Sequence, residues 1–150
     1  MKITFKTILL SFLFLITHFA QKPHFIISSY TVEDGLSHNT TNFLIQDSFG
    51  FIWAATEDGL NRLDGISIKK YYAHNTLENK FANSFFREIC EDKESNLWIV
   101  SQDEGFYLYV RKLNKLIHYS KILDNWELIK DKNVGQLTTY SKGDIWFISE

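Results

Sequence analysis

The order of apolar and polar positions in this chain repeats. Asp47-Ser48-Phe49-Gly50 is a polar turn, and Phe51-Ile52-Trp53-Ala54-Ala55 is a short apolar run around a Trp. Glu57-Asp58-Gly59 turns again, and Leu60-Asn61-Arg62-Leu63 follows before the Asp64-Gly65 hairpin signal. The plan returns at Asp92-Lys93-Glu94-Ser95-Asn96-Leu97-Trp98-Ile99-Val100 and at Ser141-Lys142-Gly143-Asp144-Ile145-Trp146-Phe147-Ile148. Trp53 and Trp98 lie 45 residues apart, and Trp98 and Trp146 lie 48 apart. A period in this range marks a repeat architecture.

Each period resolves into four short strands. The first pass reads Thr41–Gln46, Phe51–Ala55, Leu60–Leu63 and Ile66–Tyr72, the last with apolar residues at alternate positions. The second reads Phe85–Cys90, Leu97–Val100, Phe106–Tyr109 and Leu116–Tyr119, and the third opens at Gln136–Tyr140 and runs to Glu150. No 3.6-residue stripe is present, which excludes the helical repeat arrays. Four strands per repeat of about 45 residues predicts an all-β fold, a β-propeller of four-stranded antiparallel blades. Blade-like repeats then cover about 41–72, 84–119 and 136–150, two and a half blades. A ring needs four to eight, so the native protein is expected to continue past residue 150. Phe25–Tyr30 has strand composition and resembles the last strand of a blade; it is expected to pair, within residues 22–32, with a blade outside this sequence.

Residues 1–20 read as an export signal: Lys2 and Lys6, then the uncharged core Ile8–Ile16, with cleavage expected after Ala20. That core is too short to span a bilayer. His18 departs from the small residue preferred three positions before the cut, and no Cys follows to take a lipid anchor. The domain plan is thus a signal peptide over 1–20 and the start of a propeller over 21–150, working outside the cytoplasm. The whole chain carries 16 basic and 18 acidic residues, a net charge of −2. Losing Lys2 and Lys6 leaves 14 against 18, and a mildly acidic body without a basic cluster argues against nucleic acid as a partner.

At Tyr30-Thr31-Val32-Glu33-Asp34-Gly35-Leu36-Ser37-His38-Asn39 and again from Phe51 to Gly65, the chain resembles the two-component regulator propeller repeat. It is similar to the start of the periplasmic sensors of hybrid two-component systems in Bacteroides-type bacteria. Ser95 and Val100-Ser101 depart from the Gly and Gly-Thr usual in such repeats. The resemblance implies a seven-bladed ring, a downstream membrane helix as the only membrane attachment, and a histidine kinase output, or in some relatives a diguanylate cyclase. It further implies an oligosaccharide ligand, a homodimer in the full-length form and a periplasmic location, with no cofactor.

Few residues here carry chemistry. The mid-strand Trp residues are expected to pack between neighbouring sheets, while Trp126, outside the register, is the better candidate for stacking on a sugar. Asp47 and Asp92, each six before a Trp, are expected to cap the backbone amides of their turns. Cys90 reads as a small buried filler. Glu57-Asp58 and Asp103-Glu104 recur with the repeat as turn residues do, so no catalytic residue is assigned. The His residues at 18, 24, 38, 74 and 118 have no metal-ligand spacing, so no metal site is assigned. Asn39-Thr40-Thr41 matches a glycosylation acceptor. In a propeller the link into the inner strand and the turn between the second and third strands open on one face. These are Glu33–Asn39 with Glu57–Gly59, and about Asn75–Asn83 with Gln102–Gly105. The candidate ligand-binding residues on that face are His38, Asn39, Glu57, Asp58 and Asp103. Two rival readings remain: a secreted propeller scaffold without a kinase, and a propeller enzyme that degrades polysaccharide.

Overall fold

The computed structural model describes residues 26–73, 84–128, 134–140 and 144–149. The expected export signal, the link at 75–83 and the turn at 141–143 lie outside the described residues.

Two four-stranded antiparallel sheets and one two-stranded sheet follow each other along the chain. The first comprises β1 (Thr41–Gln46), β2 (Ile52–Thr56), β3 (Gly59–Leu63) and β4 (Ile68–Tyr71), hydrogen-bonded in that order. The second comprises β5 (Phe86–Glu91), β6 (Leu97–Ser101), β7 (Phe106–Val110) and β8 (Lys115–His118), in the same order. The third pairs β9 (Val134–Thr139) with β10 (Ile145–Ser149). Among the described residues the only helical segments are single 3-10 turns. The strands expected within the three repeats are present among the described residues, with bounds shifted by one or two residues.

The register repeats with the sequence. Trp53 lies opposite Ile45 and Arg62, Trp98 opposite Cys90 and Leu108, and Trp146 opposite Thr138. β1 and β5 carry an irregularity at the same place, between Thr41 and Phe43 and between Phe86 and Glu88.

We call the Trp side of each sheet its front. The front of the first sheet packs on the back of the second. Trp53, Ala55, Leu60 and Tyr71 meet Ile89, Leu97, Ile99 and Tyr109 in one buried cluster. Trp53 is fully buried, with ring centroids of Tyr109 and Tyr71 at 4.7 and 5.6 Å. Tilted aromatic pairs at these separations contribute about 0.5–1.5 kcal/mol each beyond their burial. The front of the second sheet packs likewise on the third, where Cys90, Val100, Phe106 and half-buried Trp98 meet Val134, Leu137 and Ile145. The middle sheet is thus covered on both faces. This explains why Leu97–Val100 and Phe106–Val110 read as continuous apolar runs rather than alternating ones.

Two expectations meet a different outcome. Residues 26–30 form no strand, and Ile26 and Ile27 are exposed. Trp146 is not packed between sheets but exposed on the front of the third sheet. The stretch read as a polar link contains a 3-10 turn, Val32–Asp34. Its capping box is built from Thr31, which accepts from Glu33 N–H at 3.2 Å, and Asp34, which accepts from Thr31 N–H at 2.8 Å.

Candidate functional site

The strand order sends the connections to two ends. One end holds the turns that begin at Asp47, Asp64 and Asp92. The other holds residues 37–40, the β2–β3 turn at Glu57-Asp58, the approach to β5 at Ser84-Phe85, and the β6–β7 turn Gln102–Gly105.

At the first end, carboxylates organise the turns. Asp47 Oδ1 accepts from the N–H groups of Phe49 at 3.0 Å and Phe51 at 2.9 Å, and Oδ2 accepts from the Trp53 indole at 2.7 Å. Asp92 repeats the arrangement, with Glu94 N–H at 3.0 Å, Asn96 N–H at 2.8 Å and the Trp98 indole at 3.0 Å. The turn-capping role read from sequence is present. The indole bond is an addition, and it explains the spacing of six: one carboxylate reaches both the turn amides and the Trp of the following strand. A buried indole N–H needs such an acceptor. Asp47 also accepts from the Arg111 guanidinium at 2.8 Å across the sheet boundary. Burial by itself would raise the Asp47 pKa. The bonds from Trp53, Arg111 and Phe51 and the Arg111 charge outweigh it and hold the carboxyl below its ordinary value.

At the second end, the link into β1 is fastened by a polar chain. Asn61 Nδ2 donates to Ser37 Oγ at 2.7 Å, and its Oδ1 accepts from Ser37 N–H at 2.9 Å. Ser37 Oγ lies 2.8 Å from Thr56 Oγ1, which donates to Gly59 C=O at 2.9 Å. The chain therefore runs Asn61 to Ser37 to Thr56 to Gly59, with Asn61 and Thr56 fully buried. Every donor in it has an acceptor, which removes the penalty of burying these groups. It fixes the turn that carries Glu57 and Asp58.

His38 and Glu57 meet above this chain. Nδ1 of His38 accepts from Thr40 N–H at 3.1 Å and lies 3.7 Å from Glu57 Oε2, with the two side chains 41% and 39% exposed. Glu57 N–H in turn donates to Thr40 C=O at 3.3 Å. Asn39 is exposed, but its side-chain oxygen accepts from Val32 N–H at 2.9 Å, so it holds the 3-10 turn. Asp58 is exposed beside Tyr72, whose pKa is raised by burial first and by the Asp58 charge second. Asp103 is exposed in the corresponding turn of the second sheet.

That second turn is one residue longer, and it has its own supports. The Tyr107 hydroxyl donates to Glu104, and Gln102 N–H donates to Phe85 C=O at 2.9 Å. His118 Nε2 faces Glu104 C=O at 2.8 Å, so Nε2 carries the proton and Nδ1 accepts from Ser120 Oγ at 2.8 Å. Burial, then the bond to Glu104 and its charge, push the Tyr107 hydroxyl pKa up. Ser37, Thr56, Asn61, Tyr72, Glu104 and His118 thus belong to this end, although sequence reading did not select them. A strand-borne Asn between Leu60 and Arg62 was the visible signal.

The chemistry on offer is hydrogen bonding. Half-buried Glu57 and exposed Asp58 and Asp103 are acceptors on turns held by backbone and hydroxyl bonds. Cys90 is buried, and its thiol is pushed up to about 12 by burial first and by Glu88 and Asp92 second. Among the described residues no group of three or more His, Cys, Asp and Glu has the arrangement of a metal site. Among the same residues no helix is long and apolar enough to cross a membrane.

No protein-family model matches the chain. The chain is 43% identical over 67 residues, 45% of its length, to a histidine kinase of Formosa agariphila, histidine kinase P4, and spans 5% of that protein. Its fold matches the crystal structure of the extracellular domain of a protein described as a hybrid two-component system (BT3049) of B. thetaiotaomicron. That match has a TM-score of 0.65 and 26% sequence identity, covering 80% of this chain and 17% of that one. The chain thus spans a small part of both relatives.

Proposed function

We propose that this segment belongs to the ligand-recognising, extracytoplasmic part of a two-component sensor and is built as consecutive blades of a β-propeller, part of a seven-bladed ring. The observation that carries the reading is the match of four-fifths of the chain to the extracellular domain of a hybrid two-component system. The identity to a histidine kinase over 67 residues supports it. On this reading residues 1–20 direct export to the periplasm, residues 26–30 belong to a blade outside this sequence, and a kinase acts beyond a downstream membrane helix. The full-length sensor works as a homodimer. The ligand is an oligosaccharide, met by His38, Asn39, Glu57, Asp58 and Asp103. A sugar's hydroxyl groups suit exposed carboxylate acceptors on rigid turns, since charge-assisted bonds to a fixed acceptor are the stronger kind. Recognition changes the output through a difference in affinity between two states of the sensor and needs no reaction at this site.

Calorimetric titration of the exported sensor region with a panel of neutral oligosaccharides tests this. Glu57→Gln, Asp58→Asn and Asp103→Asn are expected to weaken the binding of the recognised sugar at least ~10-fold, equivalent to 1.4 kcal/mol, with melting temperature unchanged. Affinity that stays constant across all three variants and His38→Ala removes this end as the site.

A further inference from the structure

Three consecutive carbonyls in the approach to β5 serve three different parts of the second end. Ser84 C=O accepts from Gly59 N–H at 2.8 Å and so holds the turn that carries Glu57 and Asp58. Phe85 C=O accepts from Gln102 N–H at 2.9 Å and so holds the turn that carries Asp103. Phe86 C=O accepts from Asn42 Nδ2 at 2.8 Å, which fastens it to β1. The segment is itself held in place. Ser84 and Phe86 are buried, and Ser84 Oγ accepts from Ala73 N–H at 3.0 Å. The Phe86 ring lies edge-on to Tyr107, with centroids 5.7 Å apart. Tyr107 carries the hydroxyl that bonds Glu104, so the second turn rests on this segment through two contacts.

The Asn42 bond follows from a feature of the repeat. Asn42 and Arg87 are the residues left out where β1 and β5 slip register. Thr41 and Phe43 face Thr56 and Ala55, and Phe86 and Glu88 face Ser101 and Val100. A bulge of this kind re-aims a side chain out of its ladder. Both side chains are turned across the boundary to the next sheet: Asn42 to Phe86 C=O, and Arg87 Nη2 to Val134 C=O at 3.0 Å. Phe86 and Val134 hold the same place, as the first residues of β5 and β9. In the third sheet the slip leaves out Gly135, which has no side chain to donate. The slip therefore forms without a donor, and the donors at 42 and 87 serve the boundary between sheets.

We infer that Asn42 is a positioning residue for the second end: by holding Phe86 it locks Ser84–Phe86 as a strut that keeps the Glu57-Asp58 turn and the Asp103 turn at one fixed separation. The Asn42 bond goes to neither turn, so its effect on them passes through the strut. The two turns then form one rigid surface built from two repeats rather than two independent loops. The inference rests on bonds within the chain and not on the ligand assigned above, so failure of one leaves the other standing.

Hydrogen–deuterium exchange of the exported sensor region, read at single amides, tests this with Asn42→Leu, which keeps the size of the side chain and removes its donor. Exchange at Gly59 and at Gln102 is expected to quicken about 2- to 10-fold, the range for one lost hydrogen bond. Exchange at Phe49 and Phe51, whose amides Asp47 caps at the opposite end, is expected to stay as it was. Asn42→Arg, which places at 42 the donor that the second sheet uses at 87, should restore both slow amides. Asn42→Ala takes the place of Asn42→Leu if that variant fails to fold. Unchanged exchange at Gly59 and Gln102, quickening at one of them alone, or equal quickening at Phe49 and Phe51 overturns the inference, as does failure of Asn42→Arg to restore them.

Discussion

Arg111 of the second sheet reaches Asp47 of the first, 64 residues earlier, at 2.8 Å, and the Asp47 side chain is wholly buried where they meet. The same guanidinium lies 3.6 Å from Glu91 and 4.4 Å from the Phe49 ring, and its Nε donates to Ser95 C=O at 2.7 Å. Glu91 in turn accepts from Ser48 N–H and Oγ–H at 2.8 and 2.7 Å. One cation therefore ties the capped turn of one repeat to the corresponding turn of the next.

Removing Arg111 leaves the buried Asp47 carboxylate to its neutral donors alone, and removing Asp47 leaves the Arg111 guanidinium with only Glu91 among the described residues, at 3.6 Å, as its acid. Asp47→Ala is expected to cost about 3–5 kcal/mol in urea unfolding. Asp92→Ala, which loses the turn and indole bonds alone, is expected to cost about 1–3 kcal/mol. A double-mutant cycle of Asp47→Asn with Arg111→Met should return a coupling of about 0.5–3 kcal/mol. Equal costs at Asp47 and Asp92 would show that the arginine adds nothing.

The depressed pKa of Asp47 has a pH consequence. A carboxyl held below its unfolded value stabilises the fold above that value, near pH 3.9. The contribution is lost as pH falls through the lower, folded value. Unfolding free energy should therefore decline below about pH 4 more steeply in the native chain than in Asp47→Asn. Parallel profiles over the acid range would count against it.

The Cys90 thiol should be inert in the folded chain. Burial and two nearby acids keep it protonated at neutral pH, and the thiolate is the reactive form. A thiol-specific chromogenic reagent should label it at the rate of global unfolding and about fully in denaturant. Rapid labelling of the native chain would place it at the surface.

Two glycines with positive φ should differ when changed to alanine. Gly50 at φ 87 has nothing within 4 Å of an added Cβ, so Gly50→Ala pays backbone strain of about 1–2 kcal/mol. At Gly59, φ 131, the Cβ would also meet Ser37 Oγ at 3.0 Å and Tyr72 at 3.1 Å. Gly59→Ala should therefore cost more than Gly50→Ala and loosen the turn holding Glu57 and Asp58. Thermal melts rank the two, and the reverse order would refute the contact argument.

What sequence made legible was local. Strand positions followed from apolar runs between turn residues, and Asp47 and Asp92 declared their capping role because the amides they cap are two and four residues away. The indole bond was within reach of the same reasoning, since a Trp destined for burial needs an acceptor for its N–H. Arg111 was not legible: its partner lies in another repeat, and nothing in Val110-Arg111-Lys112 distinguishes a buried clamp from an exposed basic turn. Asn39 looked like a ligand group because it is polar and close to His38, yet its side chain serves Val32. Trp146 shares the spacing of the other Trp residues but lacks the acid six positions earlier, where Tyr140 stands. That absence separates it from the clamped pair.

The six-residue step from Asp to Trp sets where this chain tolerates length changes. One carboxylate must span two turn amides and an indole, so an insertion between Asp47 and Trp53 or between Asp92 and Trp98 would pull the Trp out of the boundary between sheets. The opposite end has no such ruler. Ser101–Gly105 is one residue longer than Thr56–Gly59, yet Ile99 still faces Tyr107 as Ala54 faces Asn61. Diversity in loop length, and with it diversity in what is recognised, can accumulate at the Glu57 and Asp103 end while the Asp47 and Asp92 end keeps the sheets in step.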